Sequence, residues 1–400
     1  MDRIAADYVK LVLAEGEHDE GYVDAYYGPP AWREAARLEK PSLDAIEKRS
    51  RALAAELGGV VPTSEAETRR KRFLVPQIEA LAERARIVGG AKLSFDEESR
   101  ALYDAVAPVV ADAELRGVVE KLEALVPGDG PLPQRLEAYT RTFEIPGDRL
   151  DRVLRAGLDE CRARTRAHVK LPEEESLTVE YVKDKPWGGY NWYQGGYRSL
   201  IQINTDLPVT IDRILELACH EGYPGHHVAN VLFEQHGVKE RGWVELTVAP
   251  LRSPLALIME GSANYGIPLA FSDEDRLRFE RDTLFPLAGI DPGLAAKYAE
   301  VRKLQKDLRF ATNEAARRRI DRGQGVDDVA RFLTELGGAT PARARQGVRF
   351  IDANRSYVIN YNLGEKLVAD HVAKAGGGTD AGRWDAYIDL LLWPRAASAL

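Results

Sequence analysis

Cysteine and long apolar runs are what this chain of 400 residues has least of. Its only cysteines, Cys161 and Cys219, exclude a disulfide framework and a zinc site built from cysteine. The first twenty residues carry acids throughout and contain no apolar stretch long enough for a signal or membrane segment. We therefore expect a cytoplasmic protein with no membrane partner.

Excess positive charge is also lacking. The chain has 55 lysines and arginines against 63 aspartates and glutamates, for a net charge of −8. Nucleic acids and anionic membranes are bound through basic surfaces, which this balance argues against. We expect no nucleic-acid partner.

Most of the sequence has the hydrophobic periodicity of α-helices. Amphipathic runs broken by glycine and proline fill the chain on both sides of residues 176–208, where β-branched and aromatic residues alternate with polar ones. There "LTVEYV" and "RSLIQIN" predict two strands joined by an aromatic loop. The predicted fold is mainly α with one small antiparallel sheet. The change of pattern near residues 170–176 predicts a boundary between a helical N-terminal subdomain, 1–175, and a second subdomain, 176–400.

The stretch "LACHEGYPGHH" holds three of the seven histidines and one glutamate. In an unbroken helix His226 would point away from His220, and His227 would lie roughly 10 Å further along the axis. Pro224 and Gly225 interrupt the helix, because proline removes a backbone hydrogen bond and clashes with the preceding turn. A two-residue bulge would bring His226 to His220, whereas a three-residue bulge would bring His227. We predict His220 and His226 as metal ligands, with His227 as the alternate ligand or a substrate-facing group.

A zinc hydrolase needs a third protein ligand and a position left for water. Glu260, in "LALIMEGSANY", is the first candidate, because an acid among apolar residues is costly unless it is paired or metal-bound. Glu245, in "GWVELTV", is the second. The predicted cofactor is one Zn²⁺ per chain. The alternative is that a helix ends at Gly222 and the turn after it carries histidines by chance.

The motif "HEGYPGHH" followed by "EGSANY" resembles a bacterial family known as domain of unknown function 885, whose signature is H-E-x-x-P-G-H-H with a later E-G-W-A-x-Y. That family is similar to gluzincin metallopeptidases. The resemblance extends to "INTDLP" and "YNLGEKLV" and covers the second half of the chain. Ser262 departs from the family's tryptophan, and Ala229 from its glutamine. The resemblance implies a zinc-peptidase-like site in a gluzincin-like architecture with a long helical bundle.

The predicted function is a zinc-dependent hydrolase, most simply a metallopeptidase. Glu221 would act as general base towards a zinc-activated water. Tyr361 is the first candidate for a second oxyanion donor, and Tyr357 is the next. Two alternatives stay open: a zinc-dependent hydrolase of an ester or non-peptide amide, and a non-catalytic metal- or peptide-binding protein on a peptidase-like scaffold.

The expected substrate is a peptide or a small amide. The strand that contains Ser199 and Asn204 could pair through its edge with an extended peptide. His227 and Tyr193 are further candidates for substrate contact, the latter in an aromatic loop with Trp187 and Trp192.

Overall fold

The computed structural model describes residues 1–185, 187–206 and 208–400, and it confirms a mainly α-helical fold with little sheet. The α-helices are α1 Asp2–Gly16, α2 Pro30–Glu39, α3 Leu43–Gly59, α4 Glu65–Val88, α5 Phe95–Tyr103, α6 Asp112–Leu125, α7 Leu132–Arg141, α8 Leu150–Arg166, α9 Ile211–Leu217, α10 His226–Leu232, α11 Pro254–Ala270, α12 Asp273–Phe279, α13 Phe285–Ala288, α14 Ala295–Asp307, α15 Ala311–Ile320, α16 Val326–Leu336, α17 Pro341–Asn354, α18 Ile359–Ala375 and α19 Asp380–Leu392. Three π-helical segments extend or join them: Ala218–Gly222, Phe233–Glu240 and Glu280–Leu284.

The main sheet has three strands, β2 Ser176–Val182, β3 Gly189–Gly195 and β4 Arg198–Asn204, in the order β2-β4-β3. The expectation that the two predicted strands pair antiparallel is wrong: β2 and β4 run parallel, and β3 pairs antiparallel with β4. The predicted aromatic loop contributes β3. The chain therefore reverses twice between β2 and β4, which restores the original direction.

A second sheet was not predicted. β1, Val23–Tyr26, pairs antiparallel with β5, Val248–Pro250, although more than half of the chain separates them. This pairing brings the N-terminal region to the segment that precedes α11. The N-terminal part of the chain thereby becomes a structural neighbour of the histidine motif.

Among the described residues, three buried hydrophobic clusters stabilise the fold, and each combines residues from before and after residue 175. One packs α8 against the main sheet and the motif segment, while another packs α1, α3 and α4 against the region of β5. The division into residues 1–175 and 176–400 stays a prediction. Within the described residues, no helix combines the length and apolarity that crossing a bilayer requires.

Helices α11 and α18 touch backbone to backbone at Gly261 and Gly364. A Cβ atom added at Gly261 would lie 2.3 Å from the carbonyl carbon of Gly364, too close for any side chain. Gly261 thus faces α18, whereas Gly266 of the same helix faces the histidine motif. A Cβ atom added at Gly266 would lie 3.2 Å from Pro224 Cδ.

We expect Gly261→Ala to lower the free energy of unfolding by about 2 kcal/mol, because the new methyl group must push α18 away. Urea denaturation followed by circular dichroism measures the change. Gly58→Ala is the control, because Gly58 lies in α3 with nothing within 4 Å of the added Cβ. Equal midpoints for the two variants would contradict the close contact.

Candidate metal centre

The histidine motif is a broken helix, as predicted from the Pro-Gly step. Helix α9 passes into the π-helical turn Ala218–Gly222, and α10 begins at His226 after a three-residue turn. The N–H of Gly225 donates to the carbonyl of Cys219 at 2.9 Å. A Cβ on Gly225 would lie 2.0 Å from the carbonyl oxygen of His220, so only glycine fits this turn.

This turn folds His226 back onto His220, and α11 adds Glu260. The two Nε2 atoms of the histidines lie 3.1 Å apart. Glu260 Oε2 lies 3.5 Å from Nε2 of His220, and Oε1 lies 3.9 Å from Nε2 of His226. With all ligand atoms within 4.8 Å of one another, the three side chains could hold a metal ion.

The surroundings of the cluster fit a cation. Glu260 Oε2 is buried without a hydrogen-bond partner, and the Tyr357 hydroxyl donates to Oε1 at 3.3 Å. His220 Nδ1 lies 3.0 Å from Asn264 Oδ1, so a proton on Nδ1 leaves the Nε2 lone pair facing the cluster. Two imidazole nitrogens and one carboxylate are a common protein ligand set of catalytic zinc.

Burial and neighbouring charge set the protonation of these groups. Burial and the positive charge of His220 lower the pKa of His226 to about 4, so its ring is neutral at neutral pH. Burial opposes protonation of His220, but the negative charges of Glu221 and Glu260 outweigh it and raise its pKa. Burial also raises the pKa of Glu221. A neutral imidazole is the form that binds metal.

A cavity of about 850 Å³ opens over the cluster. Glu221 lines it beside His220, and the Glu221 carbonyl accepts a hydrogen bond from Asn191 Nδ2 at 2.6 Å. Tyr357 and Tyr361 line the same cavity. The predicted general base and both predicted oxyanion donors therefore lie in one space with the three possible ligands.

His227 lies elsewhere, which corrects its two predicted roles as alternate ligand and substrate contact. Its side chain is fully buried, with Nδ1 2.8 Å from Ser199 Oγ and Nε2 2.9 Å from Glu175 Oε2. On α10 consecutive side chains diverge, so a turn that aims His226 at His220 sends His227 towards the main sheet.

Glu245 is also engaged away from the cluster. Its carboxylate accepts two hydrogen bonds from the Arg70 guanidinium, at 2.6 Å and 2.8 Å. Both side chains are buried beside the N-terminal helices. A buried acid needs a partner, and α4 supplies it, so the alternate ligand assignment is corrected.

The predicted edge for substrate is not free, because β4 is the central strand of its sheet. Ser199 is buried against His227. Asn204 donates to the carbonyl of Lys185 at 2.9 Å and does not line the cavity. Tyr193 does line the cavity, while its hydroxyl donates to Glu234 at 2.5 Å.

Two features of the site escaped sequence reasoning. Asp24 lines the cavity from β1, and nothing in the short stretch "VDAY" distinguishes it from a loop. Glu175 looks like one of three solvated acids in "EEE", yet it is fully buried. Glu175 binds His227, Arg162, Arg166 and the Tyr223 hydroxyl, with contacts between 2.6 Å and 2.9 Å.

Because Glu175 contacts both Tyr223 and His227, it fastens the two ends of the turn that positions His226. We expect Glu175→Gln to lower the free energy of unfolding by about 2 kcal/mol at neutral pH, since it weakens the charged hydrogen bonds of a buried carboxylate to two arginines that are themselves partly solvated. Glu174→Gln is the matched control, because Glu174 is exposed. Urea denaturation measures both variants, and equal midpoints would contradict this role.

The effect of Glu175→Gln also depends on pH. Burial works to raise the pKa of Glu175, but hydrogen bonds from His227, Arg166 and Tyr223 outweigh it and hold this pKa far below its usual range. A depressed carboxyl pKa stabilises the fold above the unfolded-state value, about 4.3. The difference from wild type should therefore be full at neutral pH and shrink as the pH falls below that value.

No protein-family model matches the sequence, and no curated protein matches it. A putative lipoprotein from Colwellia psychrerythraea aligns with a TM-score of 0.55 at 13% identity, over 91% of this chain and 69% of its own. A putative lipoprotein of unknown function from Shewanella oneidensis gives 0.50 at 13%, over 92% and 74%. Metallocarboxypeptidase 1 from Trypanosoma cruzi gives 0.39 at 14%, over 99% and 92%. The chain thus shares the overall fold of the first two structures, and a likeness of fold alone leaves activity open.

Proposed function

We propose that the protein is a zinc-dependent hydrolase, specifically a metallopeptidase, whose zinc is held by His220, His226 and Glu260. The observation that carries the proposal is the convergence of two imidazole nitrogens and an unpartnered buried carboxylate oxygen beside Glu221. Zinc bound there would polarise the scissile carbonyl and make the attacking water more acidic.

The chain's own groups would handle the protons. Glu221 follows His220 directly and lines the cavity, with its carboxylate Oε1 3.3 Å from a Cβ atom built on the cavity residue Gly189. In the proposed mechanism Glu221 takes a proton from the attacking water and delivers it to the leaving nitrogen. The hydrogen bond from Asn191 Nδ2 to the Glu221 carbonyl fixes the backbone that aims this carboxylate.

Tyr361 is the better of the two candidates for the oxyanion donor. The Tyr357 hydroxyl already donates to Glu260, so it would orient that proposed ligand. Tyr361 lines the cavity with 38% of its surface exposed, and its ring lies 5.7 Å from that of Tyr357. In the proposed mechanism its hydroxyl stabilises the negative oxygen of the tetrahedral intermediate.

A peptide is supported as substrate by β3, which pairs only with β4 among the described strands. The N–H of Asn204 donates to the carbonyl of Gly188. In an antiparallel pair the residues alternate between those whose backbone groups bond to the neighbouring strand and those whose groups point away from it, so this bond fixes which residues of β3 are which. The backbone groups of Gly189, Asn191 and Tyr193 then point away from β4, and all three residues line the cavity. An extended peptide could add to this edge as a further strand.

We also propose, from the motif resemblance, that the chain belongs to the domain of unknown function 885 family. Hydrolysis of an ester or non-peptide amide would use the same residues, and non-catalytic binding would leave Glu221 without a role. The cytoplasmic location stays a prediction.

Purified protein should contain close to one zinc per chain, and His220→Ala should lose most of it because a ligand is removed. Inductively coupled plasma mass spectrometry after dialysis measures the metal. His236→Ala is the control, since His236 pairs with Glu240 away from the cluster. A His220→Ala variant that binds zinc as tightly as wild type would refute the ligand set.

Glu221→Gln should retain zinc but lose at least about a hundredfold in peptide cleavage, the usual contribution of a general base. Mass spectrometry of a digested peptide library measures the cleavage, and Glu240→Gln serves as the control at an exposed acid. Full activity in Glu221→Gln would reassign the base. Zinc binding without any cleavage by wild type would favour the non-catalytic alternative.

A further inference from the structure

The cavity wall carries a carboxylate for which the proposed mechanism has no use. Asp24 lies on β1 and faces the cavity, and its Oδ1 accepts a hydrogen bond from the Tyr190 hydroxyl. No lysine or arginine among the described residues forms an ion pair with it. The local partner of this carboxylate is therefore a neutral hydroxyl.

When a carboxylate is removed from water, one hydrogen bond from a neutral hydroxyl offsets only part of the lost solvation free energy. Burial raises the pKa of Asp24 to about 6. The hydrogen bond from Tyr190 lowers this pKa, and the negative charge of Glu260 raises it. At neutral pH the group is still mainly ionised. This part of the wall therefore carries an anion that a positive charge in the cavity would stabilise.

The Tyr190 ring, whose hydroxyl contacts this anion, belongs to an aromatic cluster. Tyr190 stacks with Trp187 at a centroid distance of 5.5 Å, and both residues line the cavity with Tyr27. The faces of aromatic rings attract cations, and the attraction is strongest where water is partly excluded. A carboxylate bound at the edge of an aromatic cluster is a suitable environment for an alkylammonium group.

We infer that Asp24, with Tyr190 and Trp187, forms a subsite that binds an ammonium group of the substrate. This inference rests on the proposed function and narrows its substrate class to peptides with a positive charge near the scissile bond. The ammonium could be a free α-amino group or a lysine side chain. The two sources share one chemistry and are separated by the probes below.

Binding is tested by isothermal titration calorimetry on the zinc-loaded Glu221→Gln protein, which should bind peptides without cleaving them. The first probe pair is leucyl-glycyl-glycine with and without N-terminal acetylation. The second is acetyl-glycyl-lysyl-glycine against its norleucine analogue. In at least one pair the charged peptide should bind about tenfold more tightly, as expected for one hydrogen-bonded charge. The pair that shows the preference identifies the source.

In the same background, Asp24→Asn should make the charged and uncharged peptides of that pair bind with nearly equal affinity. Tyr190→Phe, which removes only the hydroxyl that holds the carboxylate, should reduce the preference by a smaller factor. Asp44→Asn, at an exposed aspartate of α3, should retain the wild-type preference. A preference that Asp24→Asn leaves intact, or no preference in either pair, would overturn the inference.

The same measurements separate this inference from the proposed function. If the wild type cleaves the peptide library while Asp24→Asn keeps the preference, the peptidase stands and the subsite falls. If the wild type cleaves nothing while binding of the charged probe still depends on Asp24, the subsite stands and the peptidase falls.

Discussion

The whole site depends on the contact between Gly225 and the carbonyl oxygens of His220 and Cys219. Any side chain at Gly225 would collide with these two oxygens. Because glycine has none, the chain can turn back on itself there and begin α10. This turn brings two imidazole nitrogens within 3.1 Å of one another, which the same sequence could not do as a continuous helix. The possible metal site therefore depends on a backbone conformation that only glycine permits.

Two further arrangements support the cluster, one at Glu260 and one behind the turn. The backbone contact between Gly261 and Gly364 places α11, which carries Glu260, directly against α18, the helix that also carries Tyr361. Behind the turn, Glu175 ties Tyr223 and His227 to the arginines of α8. The possible metal ligands thus face the cavity while a separate buried network holds the backbone behind them.

The three possible ligands were predictable, whereas the contacts that surround and support them were not. The cluster of His220, His226 and Glu260 followed from proline chemistry, helix geometry and the apolar surroundings of the acid. The environment of His227 did not, because it depends on Glu175 and Ser199, which lie far away in the sequence. The parallel pairing of β2 with β4 was missed because a strand was taken for a loop.

The pairing of β1 with β5 has a consequence for biosynthesis. The first strand leaves the ribosome early, but its partner is made only after the histidine motif, and α18 follows near the end of the chain. A nascent chain consequently carries His220 and His226 long before the cavity around them is closed. The pocket can therefore be completed only after α18 has been made, and a product truncated before α18 would lack part of the cavity wall.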